Sequence, residues 1–312
     1  MKHAVEVRDL TRTFGDFVAV DHVTFDVRAG EIFGFLGPNG AGKTTTIRML
    51  AGLLAPSAGE GQVAGLDVRT DSERIKERIG YMSQLFSLYA DLTVDENIAF
   101  FAGLYGVSGK RFAERRDWLL EMAGLGDQQR RMTGELPLGW KQRLALGCAV
   151  MHEPPILFLD EPTSGVDPVS RRNFWDLIYT LAGHGTTIFV STHYMEEAEY
   201  CHRLALMNRG RLIALDRPAA LRQRMEEPIL ELETHDGPAA ARVLQNADGV
   251  IETAMFGRRV HVVVRDGLAA MTELPLFLAA QGIECRSIGE VRPSLEDVFV
   301  ALVRREGGAV VG

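Results

Sequence analysis

A segment near the start of the chain combines glycines with a lysine and a threonine in the spacing G-x-x-x-x-G-K-[ST]. It lies between a short apolar run, Glu31 to Leu36, and a helical stretch, Thr45 to Leu50. Glycines leave backbone N–H groups free to form a concave anion site, and the following helix adds its positive N-terminus. Lys43 can reach the β- and γ-phosphates of a nucleotide, and the Thr44 hydroxyl can occupy a coordination position on Mg²⁺. A plain glycine-rich turn is the alternative, and the strand before and the helix after the segment argue against it. The predicted phosphate loop comprises Gly37, Pro38, Asn39, Gly40, Ala41, Gly42, Lys43, Thr44 and Thr45.

A second pattern is a pair of carboxylates that closes an apolar run. Ile156 to Leu159 leads directly into Asp160 and Glu161. A buried strand that ends in acidic residues places them at the C-terminal edge of its sheet, where ligands of open α/β sheets bind. Asp160 would hold Mg²⁺ through water, and Glu161 would orient or deprotonate an attacking water. Alone, such a pair is more often just the start of a solvated loop, and it is the phosphate loop upstream that favours the catalytic interpretation.

The elements that must position these residues follow from hydrophobic periodicity. Alternation over the first thirty residues predicts an N-terminal antiparallel sheet. Apolar runs at Ile79 to Ser83, Ile156 to Asp160 and Thr187 to Ser191 are linked by segments of helical period, which predicts a parallel sheet with covering helices. The stretch from Val94 to Met151 is too long for a simple crossover and predicts a helical insertion, about residues 85–152. The predicted fold class is therefore α/β.

The pattern changes after a basic helix at Ala219 to Met225. Beyond Pro228 the order strand-helix-strand-strand-helix-strand predicts a small α+β domain of ferredoxin-like type. A last helix begins after Ser294, which is expected to be its N-cap. The predicted domains are residues 1–225 and 228–305, with a tail at 306–312. The second domain has no clustered His, Cys or carboxylate side chains, so a regulatory or dimer-supporting role is expected, with small-ligand sensing as the alternative.

Composition limits the class of protein. The 312 residues correspond to about two domains. A net charge of −8 argues against a general nucleic-acid binder, since phosphate neutralisation requires a basic surface. The longest stretch without Asp, Glu, Lys or Arg, Leu177 to Met195, is interrupted by Gly183, His184 and Gly185, so no transmembrane helix is predicted. The start carries no secretory signal, so a cytosolic location is expected. Three widely spaced cysteines are expected to be small buried hydrophobes.

Further residues fall where ATP-binding cassette (ABC) ATPases place them, and residues 1 to about 225 resemble that P-loop NTPase family. Gln84 resembles the Q-loop glutamine, which senses Mg²⁺ and the γ-phosphate, and His193 resembles the switch histidine that contacts the γ-phosphate. Phe14 sits where the family places an aromatic ring against adenine. Asp167, in Ser164-Gly-Val-Asp167, resembles the D-loop that crosses the dimer interface. Singly, each residue has a plainer interpretation as a surface, capping or core residue; together and in this order they indicate the family.

The resemblance implies ATP and Mg²⁺ as cofactors. It makes Thr44, Gln84 and Asp160 the metal-binding residues. The catalytic residues that it implies are Glu161, His193 and Gln84.

The family's signature segment is altered in this chain. Its usual form, Leu-Ser-Gly-Gly-x before a Lys/Arg-Gln-Arg helix, binds the γ-phosphate held by the other subunit of a head-to-tail dimer. Here Pro137 removes a hydroxyl and a backbone N–H, Leu138 adds bulk, and Gly139 is retained as a nucleotide contact. Proline is comfortable in the first turn of a helix, so the segment is expected to fold. We expect weak activation of ATP on the neighbour and favour pairing with an unlike ATPase over a homodimer.

The partners implied by the resemblance are an integral membrane permease and a second ABC ATPase, without nucleic acid. Leu85, Phe86, Leu88 and Tyr89 follow Gln84 and could form an apolar rim for the permease, or pack inside the insertion. The segment from Pro293 to Phe299 resembles the C-terminal extension of ABC-2-type exporter ATPases, including drug and daunorubicin-like efflux systems. The expected location is the cytoplasmic face of the membrane, with the transported small molecule bound mainly by the permease.

Two rival interpretations remain. One is a soluble ABC ATPase that acts on ribosomes or nucleic acid, and the acidic balance and the lack of heptads disfavour it. The other is a non-catalytic ATP-binding subunit of a heteromeric complex, which the presence of Glu161 and His193 argues against. A small-molecule kinase would use the phosphate loop but would leave Gln84 and the altered signature segment unexplained.

Overall fold

The structure is a computed structural model, and it describes residues 3–84 and 88–305. Contacts divide the chain into two compact units, Met1–Pro218 and Ala219–Gly312. This division falls before the basic helix that the sequence places at the end of the first domain. Within the described ranges, no helix is long and apolar enough to span a membrane.

The first unit contains two sheets and the helices that connect their strands. Its strands are β1 (His3–Phe14), β2 (Phe17–Arg28), β3 (Ile32–Leu36), β4 (Ala58–Val63), β5 (Leu66–Asp67), β6 (Ile79–Met82), β7 (Ile156–Asp160), β8 (Thr187–Thr192), β9 (Arg203–Asn208) and β10 (Arg211–Asp216). Its helices are α1 (Lys43–Leu50), α2 (Ser72–Lys76), α3 (Val94–Leu104), α4 (Gly109–Ala123), α5 (Leu138–Ala149), α6 (Pro168–Gly183) and α7 (Met195–Ala198), and α8 (Pro218–Gln223) lies at the boundary.

The two sheets confirm the predicted combination of an antiparallel and a parallel layer. The strand order of the antiparallel sheet is β2-β1-β4-β5, and that of the other is β10-β9-β3-β8-β7-β6. In the second sheet only β10 runs antiparallel to its neighbour, and the remaining pairs are parallel. Because parallel strands end at the same edge, the loops after β3, β6, β7 and β8 are brought together there.

Aromatic side chains fill the core between these sheets. Phe25 of β2 stacks on Phe33 of β3 with ring centroids 5.4 Å apart, and it meets the edge of Phe35 at the same distance. Phe158 of β7 and Phe189 of β8 continue the cluster at 4.8 Å. Such rings add about 0.5–1.5 kcal/mol per pair beyond their buried area. The parallel sheet therefore has a rigid apolar base beneath the edge that carries the polar residues.

The helical insertion has an apolar core of its own, formed by α3, α4 and α5. Helix α3 begins with a capping box, in which Thr93 Oγ1 accepts from the Glu96 N–H and the Glu96 carboxylate accepts from the Thr93 N–H. The buried Asn97 side chain accepts from the Tyr89 N–H at 2.9 Å and donates to Thr133 Oγ1 at 2.9 Å. Residues 88–93, which come soon after β6, are thus anchored to the insertion.

The second unit forms one antiparallel sheet with helices between its strands. The strands are β11 (Ile229–Thr234), β12 (Val250–Phe256), β13 (Arg259–Val264) and β14 (Cys285–Val291), and the helices are α9 (Gly237–Leu244), α10 (Gly267–Ala280) and α11 (Leu295–Arg305). The sheet order β12-β13-β11-β14, with every pair antiparallel, confirms the predicted ferredoxin-like βαββαβ arrangement.

The cysteine prediction is confirmed in part. Cys148 and Cys201 are buried, and burial raises the pKa of both thiols. Cys285 is only half-buried at the start of β14.

A buried histidine joins the sheet of the second unit to its last helix. His261 Nδ1 lies 3.0 Å from Asp297 Oδ1, and its Nε2 lies 3.5 Å from Glu231 Oε2. Asp297 also takes part in the cap of α11, because its Oδ2 accepts from the Ser294 N–H at 2.8 Å. Ser294 Oγ in turn accepts from the Asp297 N–H at 3.1 Å, which confirms Ser294 as the N-cap. Burial lowers the pKa of His261, but the hydrogen bonds and charges of Asp297 and Glu231 outweigh it, so the pKa lies above 6.5.

The second unit is expected to lose stability as pH rises from 6.5 through the raised pKa of His261, since a histidine that is protonated more readily when folded stabilises only while it is charged. Native-state hydrogen exchange of the α11 amides in the full chain measures this loss. His261→Asn should remove the pH dependence, whereas the exposed His235, replaced by asparagine, serves as the control. The same alkaline loss in His261→Asn would contradict the assignment.

Candidate functional site

Four neighbouring strand ends assemble most of the residues that the sequence singles out. The loop after β3 leads to Lys43 and Thr44, β7 ends at Asp160, and His193 follows β8. Gln84 follows β6 at the end of the same parallel sheet. These residues, together with Glu161, form one network of contacts.

Lys43 lies buried inside the loop that precedes it. Its Nζ donates to the carbonyl oxygens of Gly37 at 2.7 Å and Pro38 at 3.1 Å, and it lies 3.4 Å from Glu161 Oε1. Burial lowers the pKa of the Lys43 ammonium, and the charges of Glu161 and Asp160 oppose that shift. Carbonyl and carboxylate oxygens therefore surround the Lys43 ammonium, and the phosphate oxygens of a bound nucleotide would replace them as its partners.

Two glycines of the loop are required by its surroundings. A Cβ on Gly37 would lie 2.2 Å from the carbonyl oxygen of Met207 in β9. Gly42 has φ of +99°, and a Cβ there would lie 2.6 Å from the carbonyl oxygen of Ala19 in β2. The loop thus packs tightly against the backbone of two strands, which fixes the direction of its N–H groups.

Asp160 connects the phosphate loop to the neighbouring strand. Its Oδ1 accepts from Thr44 Oγ1 at 2.9 Å and from Ser191 Oγ at 2.7 Å, and Asp160 pairs with Ser191 across the sheet. An anionic carboxylate beside a hydroxyl is the oxygen-donor set that suits Mg²⁺. The residues present therefore fit a magnesium ion held by Thr44 and Asp160. Ser191 has no recognisable role in the sequence, because its link to Asp160 depends on strand register.

The carboxylate of Glu161 is the centre of the network. Gln84 Nε2 donates to Glu161 Oε2 at 3.1 Å, and His193 Nδ1 lies 3.3 Å from the same oxygen. The Glu161 N–H donates to Ser191 Oγ at 2.9 Å, and its φ of +48° lies in the left-handed region. That conformation costs a non-glycine residue roughly 1–2 kcal/mol, so the surrounding contacts must hold it. An amide, an imidazole and an ammonium thus surround one carboxylate.

Glu197 of α7 anchors a second, buried network that the sequence analysis missed. Its Oε1 accepts from Thr163 Oγ1, and its Oε2 accepts from Thr192 Oγ1 at 2.7 Å. Arg171 Nε of α6 lies 3.3 Å from Glu197 Oε1, and its guanidinium stacks over the Tyr194 ring at 4.1 Å. The loop after Glu161 and the segment that carries His193 are therefore tied to one carboxylate. In the sequence, the signal for this network is the pair of acidic residues, Glu196 and Glu197, that comes shortly after His193.

The altered signature segment lies at the start of α5. Pro137 is the N-cap with φ of −54°, one position before the first helical turn where the sequence analysis placed it. Leu138 is 42% exposed. A Cβ on Gly139 would lie 2.6 Å from Ser170 Oγ of α6, so this glycine is required for close packing of the two helices. The buried Gln142 donates to the Pro162 carbonyl, which joins α5 to the loop after Glu161.

The remaining candidate residues lie outside the contact network of Glu161 in the described ranges. Asp167 caps α6 by accepting from the N–H groups of Val169 and Ser170, and the hydrogen bond from the Ser170 hydroxyl, together with these N–H groups, lowers the pKa of its carboxyl. Phe14 is 47% exposed, and the Arg12 guanidinium lies 4.5 Å from its ring centroid. Both side chains are accessible, as contacts with adenine or with a second subunit require.

Comparison with known proteins defines the class to which this fold and site belong. Residues 20–164 match the family model described as ABC transporter, and residues 217–303 match the model described as ATP-binding protein DrrA1-3-like, C-terminal domain. The cassette resembles a solved dimeric bacterial ABC transporter cassette, with a TM-score of 0.63 and 25% identity over 68% of this chain and 98% of that one. The first unit is an ABC ATPase cassette.

Two curated relatives specify the branch. The probable multidrug ABC transporter ATP-binding protein YbhF of Escherichia coli (strain K12) is 53% identical over 218 residues, which cover 70% of this chain and 38% of YbhF. The daunorubicin resistance ATP-binding protein DrrA2 of Streptomyces coeruleorubidus is 36% identical over 305 residues, covering 96% of this chain and 95% of DrrA2. The chain therefore belongs to the family of ABC transporter ATP-binding proteins, in the DrrA-like, ABC-2-type exporter group.

Glu197→Ala is expected to lower the free energy of unfolding by about 3–5 kcal/mol, because it leaves Arg171 and two threonine hydroxyls without their buried partner. Urea unfolding monitored by fluorescence measures the change. Glu196→Ala, at the exposed neighbouring position, is the matched control and should stay within about 0.5 kcal/mol of the parent. Equal effects of the two substitutions would show that the Glu197 network contributes nothing.

Proposed function

We propose that this chain binds ATP with Mg²⁺ and hydrolyses it to drive export through a separate membrane permease. The observation that carries the proposal is the position of the Glu161 carboxylate, within 3.1–3.4 Å of Gln84, His193 and Lys43. An ion pair that only stabilises the fold would not require a glutamine and a histidine beside the same carboxylate. A carboxylate at the end of a strand, beside a phosphate loop, is suited to accept a proton from water.

Each residue of the network has a role in this reaction. The loop N–H groups and Lys43 would bind the phosphates, and Lys43 would exchange its contacts with Gly37 and Pro38 for phosphate oxygens. Mg²⁺ held by Thr44 and Asp160 would neutralise phosphate charge. Glu161 would orient the attacking water and accept its proton as the bond from the water oxygen to the γ-phosphorus forms and the bond from that phosphorus to the oxygen of the leaving ADP breaks. His193 and Gln84 would hold the γ-phosphate and water against that carboxylate, and Phe14 would contact adenine.

Glu161→Gln is expected to reduce kcat for ATP hydrolysis by roughly 10²–10⁴-fold, the usual contribution of a general base, while ATP binding is retained. Phosphate release and nucleotide binding, measured on the same preparations, separate the two effects. Glu121→Gln on the exposed face of α4 is the control and should hydrolyse at the parental rate. Unchanged hydrolysis in Glu161→Gln would remove this residue from the catalytic role and favour a non-catalytic ATP-binding subunit.

The altered signature segment supports pairing with an unlike ATPase. In a head-to-tail dimer, Gly139 and Asp167 would face the nucleotide held by the other subunit. Pro137 offers that nucleotide neither a hydroxyl nor an N–H, and Leu138 is exposed beside it. A homodimer would therefore contain two weakened sites, whereas a heterodimer would retain one complete site built on Lys43 and Glu161 of this chain.

Pro137→Ser combined with Leu138→Gly is expected to raise ATP turnover of the chain alone by roughly ten- to a hundredfold, because one charge-assisted hydrogen bond contributes about 1.5–3 kcal/mol. Steady-state hydrolysis under conditions that allow dimers measures the gain. The same double change in the Glu161→Gln background is the control and should give no gain. Equal turnover in the parent and the double variant would contradict the proposed weakness of the signature segment.

An exposed apolar patch on the helical insertion supports contact with the permease. Phe100 and Leu104 lie one turn apart on α3, at 43% and 66% exposure, and Tyr89 packs against Phe100 with ring centroids 4.7 Å apart. Leu88 instead packs partly against the core of the insertion. Leu85 and Phe86, the other residues of the predicted rim, lie outside the described residues. The patch follows Gln84 closely, so permease motion could reach the Glu161 network.

The location and cargo follow from this partnership. The chain would lie at the cytoplasmic face of the membrane, bound to its permease, and the transported small molecule would be recognised mainly by the permease. The names of YbhF and DrrA2, which refer to multidrug transport and daunorubicin resistance, support drug-like export substrates. The predicted C-terminal domain, residues 228–305, would support the dimer or regulate it.

A further inference from the structure

A groove of about 570 Å³ lies in the second unit, away from the residues of the ATP site in sequence. The end of β11, the turn between β12 and β13, the start of β14 and the start of α9 form its walls. Its size is within the range of small-molecule sites. The polar and charged residues that line it are Glu233, Thr234, His235, Arg258, Arg259 and Arg286, and Met255 adds a large apolar side chain.

Two arginines of the groove have no acidic partner. Arg259 forms an ion pair with Glu231 and lies 4.0 Å from Glu233, so its charge is compensated. Arg286 contacts the ring of His235, with Nη2 3.1 Å from Nδ1, and the Arg258 side chain forms no hydrogen bond or ion pair with a described residue. Neither has a carboxylate within ion-pair distance in the described ranges. The groove therefore presents two uncompensated guanidinium groups.

A buried hydroxyl gives an independent indication of a ligand. Thr234 is 8% exposed and lines the groove, yet its Oγ1 has no hydrogen-bond partner. A buried hydroxyl without a partner is costly, and an oxygen acceptor in the groove would satisfy it. The start of α9 also faces the groove, but Asp236 already caps this helix through the Ala239 N–H, so the helix end adds little.

We propose that this groove binds a phosphate group, either of a phosphate monoester or of a phospholipid headgroup. Guanidinium groups match phosphate oxygens with paired, charge-assisted hydrogen bonds. Arg258 and Arg286 bind the phosphate oxygens, and Thr234 Oγ1 donates to one of them. Met255, whose methyl group closes the space beside Gly237, contacts the apolar part of the ligand. The site gives the C-terminal unit a ligand independent of ATP.

Methionine methyl NMR of the full chain tests the proposal, because two methionines report on different sites. Met255 lines the groove, whereas Met207 Cε lies beside Gly42 of the phosphate loop. Titration with phenyl phosphate and with inorganic phosphate should shift the Met255 signal saturably. Arg258→Ala, Arg286→Ala and Thr234→Val should each weaken the Met255 response about tenfold or more, as loss of a charge-assisted hydrogen bond implies.

Two control measurements separate specific binding in the groove from general effects of charge and of stability. Arg242→Ala, at the other end of α9, is the matched control for net charge and should bind like the parent. Thr234→Val preserves shape and removes the unpartnered hydroxyl, so it should not lower the unfolding midpoint. If Arg242→Ala weakens binding as much as Arg258→Ala, the response reflects general charge and the proposal is overturned.

Flotation with vesicles of phosphatidylcholine, with or without phosphatidic acid, identifies the source of the phosphate. Recruitment by phosphatidic acid that is lost in Arg258→Ala and Arg286→Ala assigns the site to a lipid headgroup. A Met255 response to phenyl phosphate without such recruitment assigns it to a free monoester. A response in both arms supports a site for either source. Neither response, or a Met207 shift alone, overturns the proposal.

Discussion

One carboxylate oxygen, Asp160 Oδ1, accepts hydrogen bonds from two hydroxyl groups, and the geometry of the site depends on it. Thr44 belongs to the phosphate loop after β3, and Ser191 lies near the end of β8, so these two bonds join the ends of β3, β8 and β7, which are neighbours in the sheet. Ser191 also accepts the Glu161 N–H, which holds that residue in its left-handed conformation. The hydrogen bonds of Ser191 are buried and that of Thr44 is partly buried, so water competes little for them. The position of Glu161, the proposed base, thus depends on the hydrogen bonds that its neighbour Asp160 makes with Thr44 and Ser191.

Local patterns in the sequence predicted the parts of this arrangement that depend on consecutive residues. The apolar run before Asp160 defined β7 with the bounds that the structure has, and the glycine and lysine spacing defined the loop before α1. Ser191 and Glu197 could not be assigned in this way, because their partners lie on other strands and helices. Which hydroxyl meets which carboxylate is set by strand register and helix packing, and one sequence shows neither.

In the second unit, too, local sequence patterns predict the strands, whereas the contacts between separate elements are not visible in the sequence. Alternation and turn residues predicted its strands, and the ferredoxin-like order followed from them. Its two singular features, the buried His261 and the groove at Thr234, each join residues from separate elements. Thr234, Arg258 and Arg286 are far apart in the chain and come together only when β11, β13 and β14 pair, so no cluster of polar residues is visible there in the sequence.

The packing of Gly139 against Ser170 has a consequence for how the signature segment tolerates change. Gly139 is fixed by its fit to α6, whereas Pro137 and Leu138 lie exposed at the end of their helix. Close packing of α5 against α6 therefore depends on Gly139, whereas the proposed contacts with a neighbour's nucleotide depend on the adjacent Pro137 and Leu138. An alteration at positions 137 and 138 would therefore weaken what we propose the segment offers to a neighbour's nucleotide and leave the packing of α5 against α6 unchanged. Such a subunit would remain available for assembly, so the proposed weakness would appear in the ATP turnover of assembled dimers and not in the stability of the subunit.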